Sequence, residues 1–162
     1  MKDAIIYASI ESLRQEGLKF SVDTLASKLK ISKKTIYKFF PDKETLALSL
    51  YEKYYDDAKV KAELLTKIKT PFSNLDLLRL YFDSKVMTRK EIFNKYKLNA
   101  SINSYAAEQN DCLWKIISES FKDGMPGQDT ETIRIVVDGS FEKLCENRMS
   151  PDAVIERLAK LL

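Results

Sequence analysis

The sequence predicts an all-α protein, and three observations carry that prediction. Glycine and proline number four each in 162 residues, too few to punctuate a chain of short strands. No stretch alternates apolar and polar residues as a half-buried strand does. Apolar residues instead recur at spacings of three and four, which places them along one face of a helix. The expected architecture is an N-terminal three-helix unit holding a helix-turn-helix, joined by a long helix to a C-terminal helical region.

The first helix opens at Asp3 and turns Ile5, Ile6, Ala8, Ser9, Ser12 and Leu13 inward; Gly17 ends it in a left-handed cap, and Phe20 packs before the next element. Ser21 caps a second helix over about 21–29, whose inner face is Val22, Leu25, Ala26 and Leu29. After a break at Lys30 and Ile31, Ser32 caps a third helix over about 33–40. There Ile36 and either Phe39 or Phe40 face inward, leaving Lys33, Lys34, Thr35, Tyr37 and Lys38 outside. Pro41 stops that helix. Asp42 caps a long fourth one, in which Leu46, Leu50, Tyr54, Ala58, Ala62 and Leu65 repeat near every four residues. Two helices of about two turns each bury little alone, so this pair reads as a helix-turn-helix braced by its neighbours.

Beyond Lys69, Thr70-Pro71 starts a helix with Leu75, Leu78, Phe82 and Val86 inward. Residues 88–99 form a polar, irregular stretch around a short helix bearing Ile92, Phe93 and Tyr96. A long helix follows from Ala100 to Lys122, with Ile102, Tyr105, Ala106, Cys112, Leu113, Ile116, Ile117 and Phe121. Gly124-Met125-Pro126-Gly127 is a clear break. Asp129 to Glu146 is helical again, with Ile133, Val136, Val137, Ser140, Phe141 and Leu144 at heptad-like spacing. Ser150-Pro151-Asp152 caps a last helix carrying Val154, Ile155, Leu158, Leu161 and Leu162.

Charge narrows the function. The net charge is +3, and residues 1–50 hold nine Lys/Arg against six Asp/Glu, whereas residues 51–162 hold 18 of each. Lys28–Lys43 alone carries six lysines and one aspartate. A basic face coinciding with a helix-turn-helix is the electrostatic footprint of a protein that binds double-stranded DNA. The competing reading is a helical protein–protein interaction module whose basic face meets an acidic protein surface. That module predicts weak salt dependence and no preference for duplex DNA.

Enzymatic chemistry is not expected. The chain has no histidine, no glycine-rich phosphate loop and no metal-ligand spacing, so no catalytic residue, cofactor or metal is assigned. Asp56-Asp57 reads as solvating charge, and Cys112 and Cys145 as reduced core thiols. No run approaches the roughly 20 apolar residues of a membrane span, and the N-terminus lacks a signal-peptide pattern, so a cytoplasmic protein without a membrane partner is expected.

Ile5-Ile6-x-Ala8, Leu13, Gly17, Ser21, Leu25-Ala26, Ile31-Ser32, Thr35-Ile36-Tyr37, Phe40, Lys43-Glu44 and Leu46 together resemble the N-terminal signature of the TetR family of bacterial transcriptional repressors. The resemblance covers about the first 50 residues and beyond them is one of architecture. It implies a DNA-binding domain over 1–48 and a regulatory and dimerisation domain over 49–162. It also implies a homodimer placing its third helices in successive major grooves of a palindromic operator. The residues assigned to DNA are Ser21, Ser32, Lys33, Lys34, Thr35, Tyr37, Lys38 and Lys43. Release by a small apolar or amphipathic effector is implied too, and Tyr81, Phe82, Phe93, Tyr105, Trp114 and Phe121 are the aromatic residues available to line its pocket. Dimerisation falls to the final two helices, through Val136, Phe141, Leu144, Val154 and Leu158. Three positions depart from the family pattern. Lys30 stands where glycine is common and is expected to be left-handed, Phe39 replaces a residue able to bond phosphate, and Asp23 places a carboxylate in the first turn of the second helix.

Overall fold

The computed structural model describes residues 1–16, 20–68, 70, 72–122, 130–147 and 150–161, with Glu16, Lys122 and Leu161 described by their backbone alone. The sequence-expected features at Gly17, Pro71, Gly124-Met125-Pro126-Gly127 and Leu162 lie outside these residues. Among the described residues the chain forms nine α-helices and no strand. They are α1 (Lys2–Glu16), α2 (Val22–Leu29), α3 (Lys33–Phe39), α4 (Lys43–Ile68), α5 (Ser73–Met87), α6 (Lys90–Tyr96), α7 (Ala100–Lys122), α8 (Thr130–Glu146) and α9 (Asp152–Leu161).

Two compact units emerge, and neither is continuous in sequence. The first comprises Met1–Asp57 and Val86–Gln109, the second Ala58–Lys85 and Asn110–Leu162. The long helices α4 and α7 each contribute residues to both.

The first unit is organised around the apolar faces of α1 to α4. Ile5, Leu25, Ile36 and Phe40 are completely or almost completely buried, and Leu13, Leu46 and Leu50 nearly so. Each such side chain stabilises the fold by about 1.5–3 kcal/mol through removal from water. Phe40, the capping residue of α3, is the inward phenylalanine, whereas Phe39 is 36% exposed. The core does not end with α4. Tyr51 stacks on Phe93 at a ring distance of 5.6 Å and donates its hydroxyl to the Met87 carbonyl at 2.7 Å. Tyr96 sets its ring edge-on to Phe20 and donates to the Phe20 carbonyl at 2.8 Å. Thus α6 and the start of α7, through Ile102 and Ala106, complete the core of the N-terminal unit.

The second unit packs Leu77, Leu78, Tyr81 and Phe82 of α5, Leu113, Trp114, Ile117 and Phe121 of α7, and Ile133, Val137, Phe141 and Leu144 of α8 into its interior, with Ile155 of α9. A polar network runs through it. Tyr81 donates to Asp138 at 3.0 Å, Arg134 donates to the Tyr81 oxygen at 3.2 Å and pairs with Asp111, and Lys85 lies 3.3 Å from Asp138.

Candidate nucleic-acid interface

The helix-turn-helix is built from capping chemistry on either side of its turn. Ser21 precedes α2 in extended conformation; its Oγ accepts the Thr24 amide at 3.1 Å, and its own amide donates to Thr24 Oγ1, closing a reciprocal box. At the far end of α2, Lys30 adopts φ 54° and ψ 41°. The Ile31 amide bonds the Ala26 carbonyl and the Lys30 amide bonds the Ser27 carbonyl, the two hydrogen bonds of a Schellman turn. The expected left-handed lysine is borne out. Ser32 then caps α3, its Oγ accepting the Thr35 amide at 3.1 Å. Ile36 points into the core with no exposed surface, so the rest of α3 faces out.

Five of the eight sequence-assigned side chains come together on that outer face. Ser32, Lys34, Thr35, Tyr37 and Lys38 line an open depression of about 480 Å³. Ser32 and Thr35 share a hydroxyl–hydroxyl contact of 2.9 Å, which orients both oxygens. Ser21, Lys33 and Lys43 lie instead along a second concavity, and Tyr37 borders both. Ser21 serves foremost as a helix cap, since both its oxygen and its amide are engaged.

Electrostatics distinguish the lysines. Lys33 Nζ lies 2.7 Å from Asp23 of α2, and this hydrogen bond holds the Lys33 ammonium above its ordinary range. The carboxylate that departs from the family pattern therefore engages one of the assigned DNA contacts. Both partners are more than half exposed, so the pair is open to competition from another anion. Lys28 turns toward α1, donating to Ser12 at 3.3 Å. At the start of α4, Asp42 Oδ1 accepts the Thr45 amide at 2.7 Å, which holds the Asp42 carboxyl below its ordinary range.

The profile described as "Bacterial regulatory proteins, tetR family" matches residues 5–50, the stretch just described. Over that stretch the chain is similar to the TetR family. A solved structure described as a transcriptional regulator (TerR/AcrR family) from Aquifex aeolicus VF5 shares the fold, with a TM-score of 0.57 at 18% identity over 98% of this chain and 95% of that one. No curated protein matches the chain as a relative. The matched stretch contains α2, α3 and the turn between them.

The remaining sequence-assigned residues are less unified. Phe93 and Tyr105 belong to the first unit, and Tyr81, Phe82, Trp114 and Phe121 to the second. The four in the second unit are buried against neighbouring rings: Tyr81 lies 4.8 Å from Trp114, Trp114 6.1 Å from Phe121, and Phe82 5.8 Å from Phe141. Phe141 and Leu144, assigned to the dimer surface, are less than one-tenth exposed in the single chain. The residue before Val136 is more prominent: Ile135 is 72% exposed and Val136 50%. Val154 and Leu158 are half-buried. Among the described residues no group of three or more metal-ligating side chains is found, and no helix is long and apolar enough to cross a membrane.

Proposed function

We propose that this chain is a TetR-family homodimeric repressor that reads a palindromic operator through α3 and is released by a small apolar or amphipathic effector. The observation that carries the DNA-reading part is the gathering of Lys34, Thr35, Tyr37 and Lys38 on the one face of α3 that Ile36 leaves outside the core. Hydroxyls and ammonium groups on a short exposed helix suit base edges and phosphates of a major groove. Residues 1–48 supply this surface, with Ser21, Ser32, Lys33 and Lys43 contributing backbone contacts to DNA.

The exposed apolar pair Ile135 and Val136 supports a helical dimer seam on α8, and nothing lies within 4 Å of the position a side chain would take at Gly139, one turn further along. Trp114 supports a polar effector contact in the second unit: among the described residues its buried indole N–H finds no hydrogen-bond acceptor. Repression then follows from geometry. Two recognition helices must sit about 34 Å apart to enter successive grooves, and an effector releases DNA by binding better to an arrangement with another spacing.

Selection of duplexes from a random pool tests the DNA reading. It should enrich a palindrome with half-sites one helical turn apart; a pool with no enrichment overturns it. Sedimentation tests assembly, with Ile135→Glu converting a dimer to a monomer. A wild-type monomer at micromolar concentration refutes the dimer.

A further inference from the structure

The second concavity of the first unit is a cleft of about 420 Å³, within the roughly 300–1,000 Å³ of small-molecule sites. Its walls come from α1, α2, α3, α4, α6 and the segments beside them, so it is a feature of one compact unit. Phe20, Leu50, Ile92 and Leu98 give it an apolar lining, and Lys43 and Lys95 stand on the same surface. Among the described residues neither Lys43 nor Lys95 has a carboxylate partner. Lys33 also borders the cleft, but Asp23 already neutralises it at 2.7 Å.

We propose that this cleft binds an amphipathic small-molecule anion, a medium-chain carboxylate, with its apolar tail along the lining and its head group against Lys43 and Lys95. Lys95 Nζ lies 6.0 Å from the Tyr96 ring centroid, and two ammonium groups without a carboxylate partner beside an apolar wall ask for a ligand with one charged end. The cleft also borders Tyr37 and Lys43, both assigned above to DNA. Resting on that assignment, occupation of the cleft competes with the operator directly, at the DNA-reading surface itself.

Calorimetry with decanoate on the full chain tests the site without DNA. One decanoate should bind per chain, and uncharged decanol should bind more weakly. Lys95→Gln should weaken decanoate roughly two- to fivefold, as expected for an exposed charge contact. Ala47→Leu, which adds bulk to a cleft-lining position, should weaken it at least about tenfold. Thermal melts establish that both variants fold, and if Ala47→Leu does not, Lys95→Gln decides alone. No decanoate heat, equal binding of decanol, or decanoate affinity unmoved in the folded variants overturns the proposal. Anisotropy of a labelled duplex forms the second arm: decanoate should displace the wild type from DNA and leave Ala47→Leu bound. Duplex binding without decanoate binding refutes the cleft alone, whereas decanoate binding without duplex binding refutes the DNA assignment and leaves the cleft standing.

Discussion

Replacing Asp23 by asparagine should make the chain bind duplex DNA more tightly and more salt-sensitively. The substitution keeps the shape of the side chain and removes the charge that holds Lys33 at 2.7 Å. In the folded protein Lys33 offers its ammonium to Asp23, so a phosphate must compete for it. With asparagine there, Lys33 can take up one further phosphate per protomer. Each phosphate neutralised on duplex DNA steepens the dependence of log affinity on log salt by about 0.9. Per protomer, a tenfold fall in salt then raises the advantage of Asp23→Asn by about eightfold, since that is ten to the power 0.9. The assay is anisotropy of a labelled duplex titrated between about 50 and 200 mM salt. Lys33→Gln supplies the internal control, flattening the slope by about 0.9 in the Asp23→Asn background and by less in the wild type, because the two residues share one interaction. An Asp23→Asn slope equal to or shallower than the wild type refutes the reasoning.

Lys30→Gly should raise stability by about 1 kcal/mol, because glycine adopts the left-handed conformation without the side-chain clash; the thermal midpoint should rise by about 2–4 °C. Lys28→Gly, inside α2, should lower stability by about the same amount, and a matching sign for the two would refute the turn geometry. Tyr51→Phe should cost about 1–2 kcal/mol in denaturant titrations, since it leaves the buried Met87 carbonyl without its donor; an unchanged midpoint would remove that bond from the account. Asp42 predicts a pH effect. Its folded carboxyl sits below the ordinary 3.8, so its stabilisation is complete above that value and is lost as pH falls through the depressed one. Asp42→Asn should flatten that part of the acid limb in melts across pH, and parallel limbs would contradict the cap.

Local rules made much of this legible. Ser21, Ser32 and Asp42 sit where capping chemistry puts them, and the resemblance to a family with glycine where Lys30 stands implied a positive φ that the backbone adopts. Spacing alone was less complete for buried faces. Following every fourth residue along α4 finds Leu46, Leu50, Tyr54 and Ala58 but passes over Tyr51 and Tyr55, which are also buried because the helix packs on a wide stripe. Residues joined only by tertiary packing were not legible. Nothing local connects Asp23 to Lys33 across a turn, or Lys95 to the cleft beside Lys43. Phe93 and Tyr105 look like companions of Tyr81 and Trp114 by composition, yet they pack with the N-terminal helices because α6 and the start of α7 return to them. Aromatic content marks burial; it does not say in which core.

That return has a consequence for how the protein is made. A chain emerging from the ribosome presents α1 to α4 first, but Tyr51 lacks Phe93 and Met87, and Phe20 lacks Tyr96, until residues beyond 96 have followed. The Tyr96–Phe20 bond alone closes a loop of 76 residues, and such closure must be met entropically before its contacts reward it. Helices α2 and α3 therefore reach their finished packing only after α6 has been made. For the same reason residues 1–50 are not a cassette to be moved intact between proteins: a transplanted helix-turn-helix leaves Tyr51, Met87, Ile92 and Phe93 of its core behind.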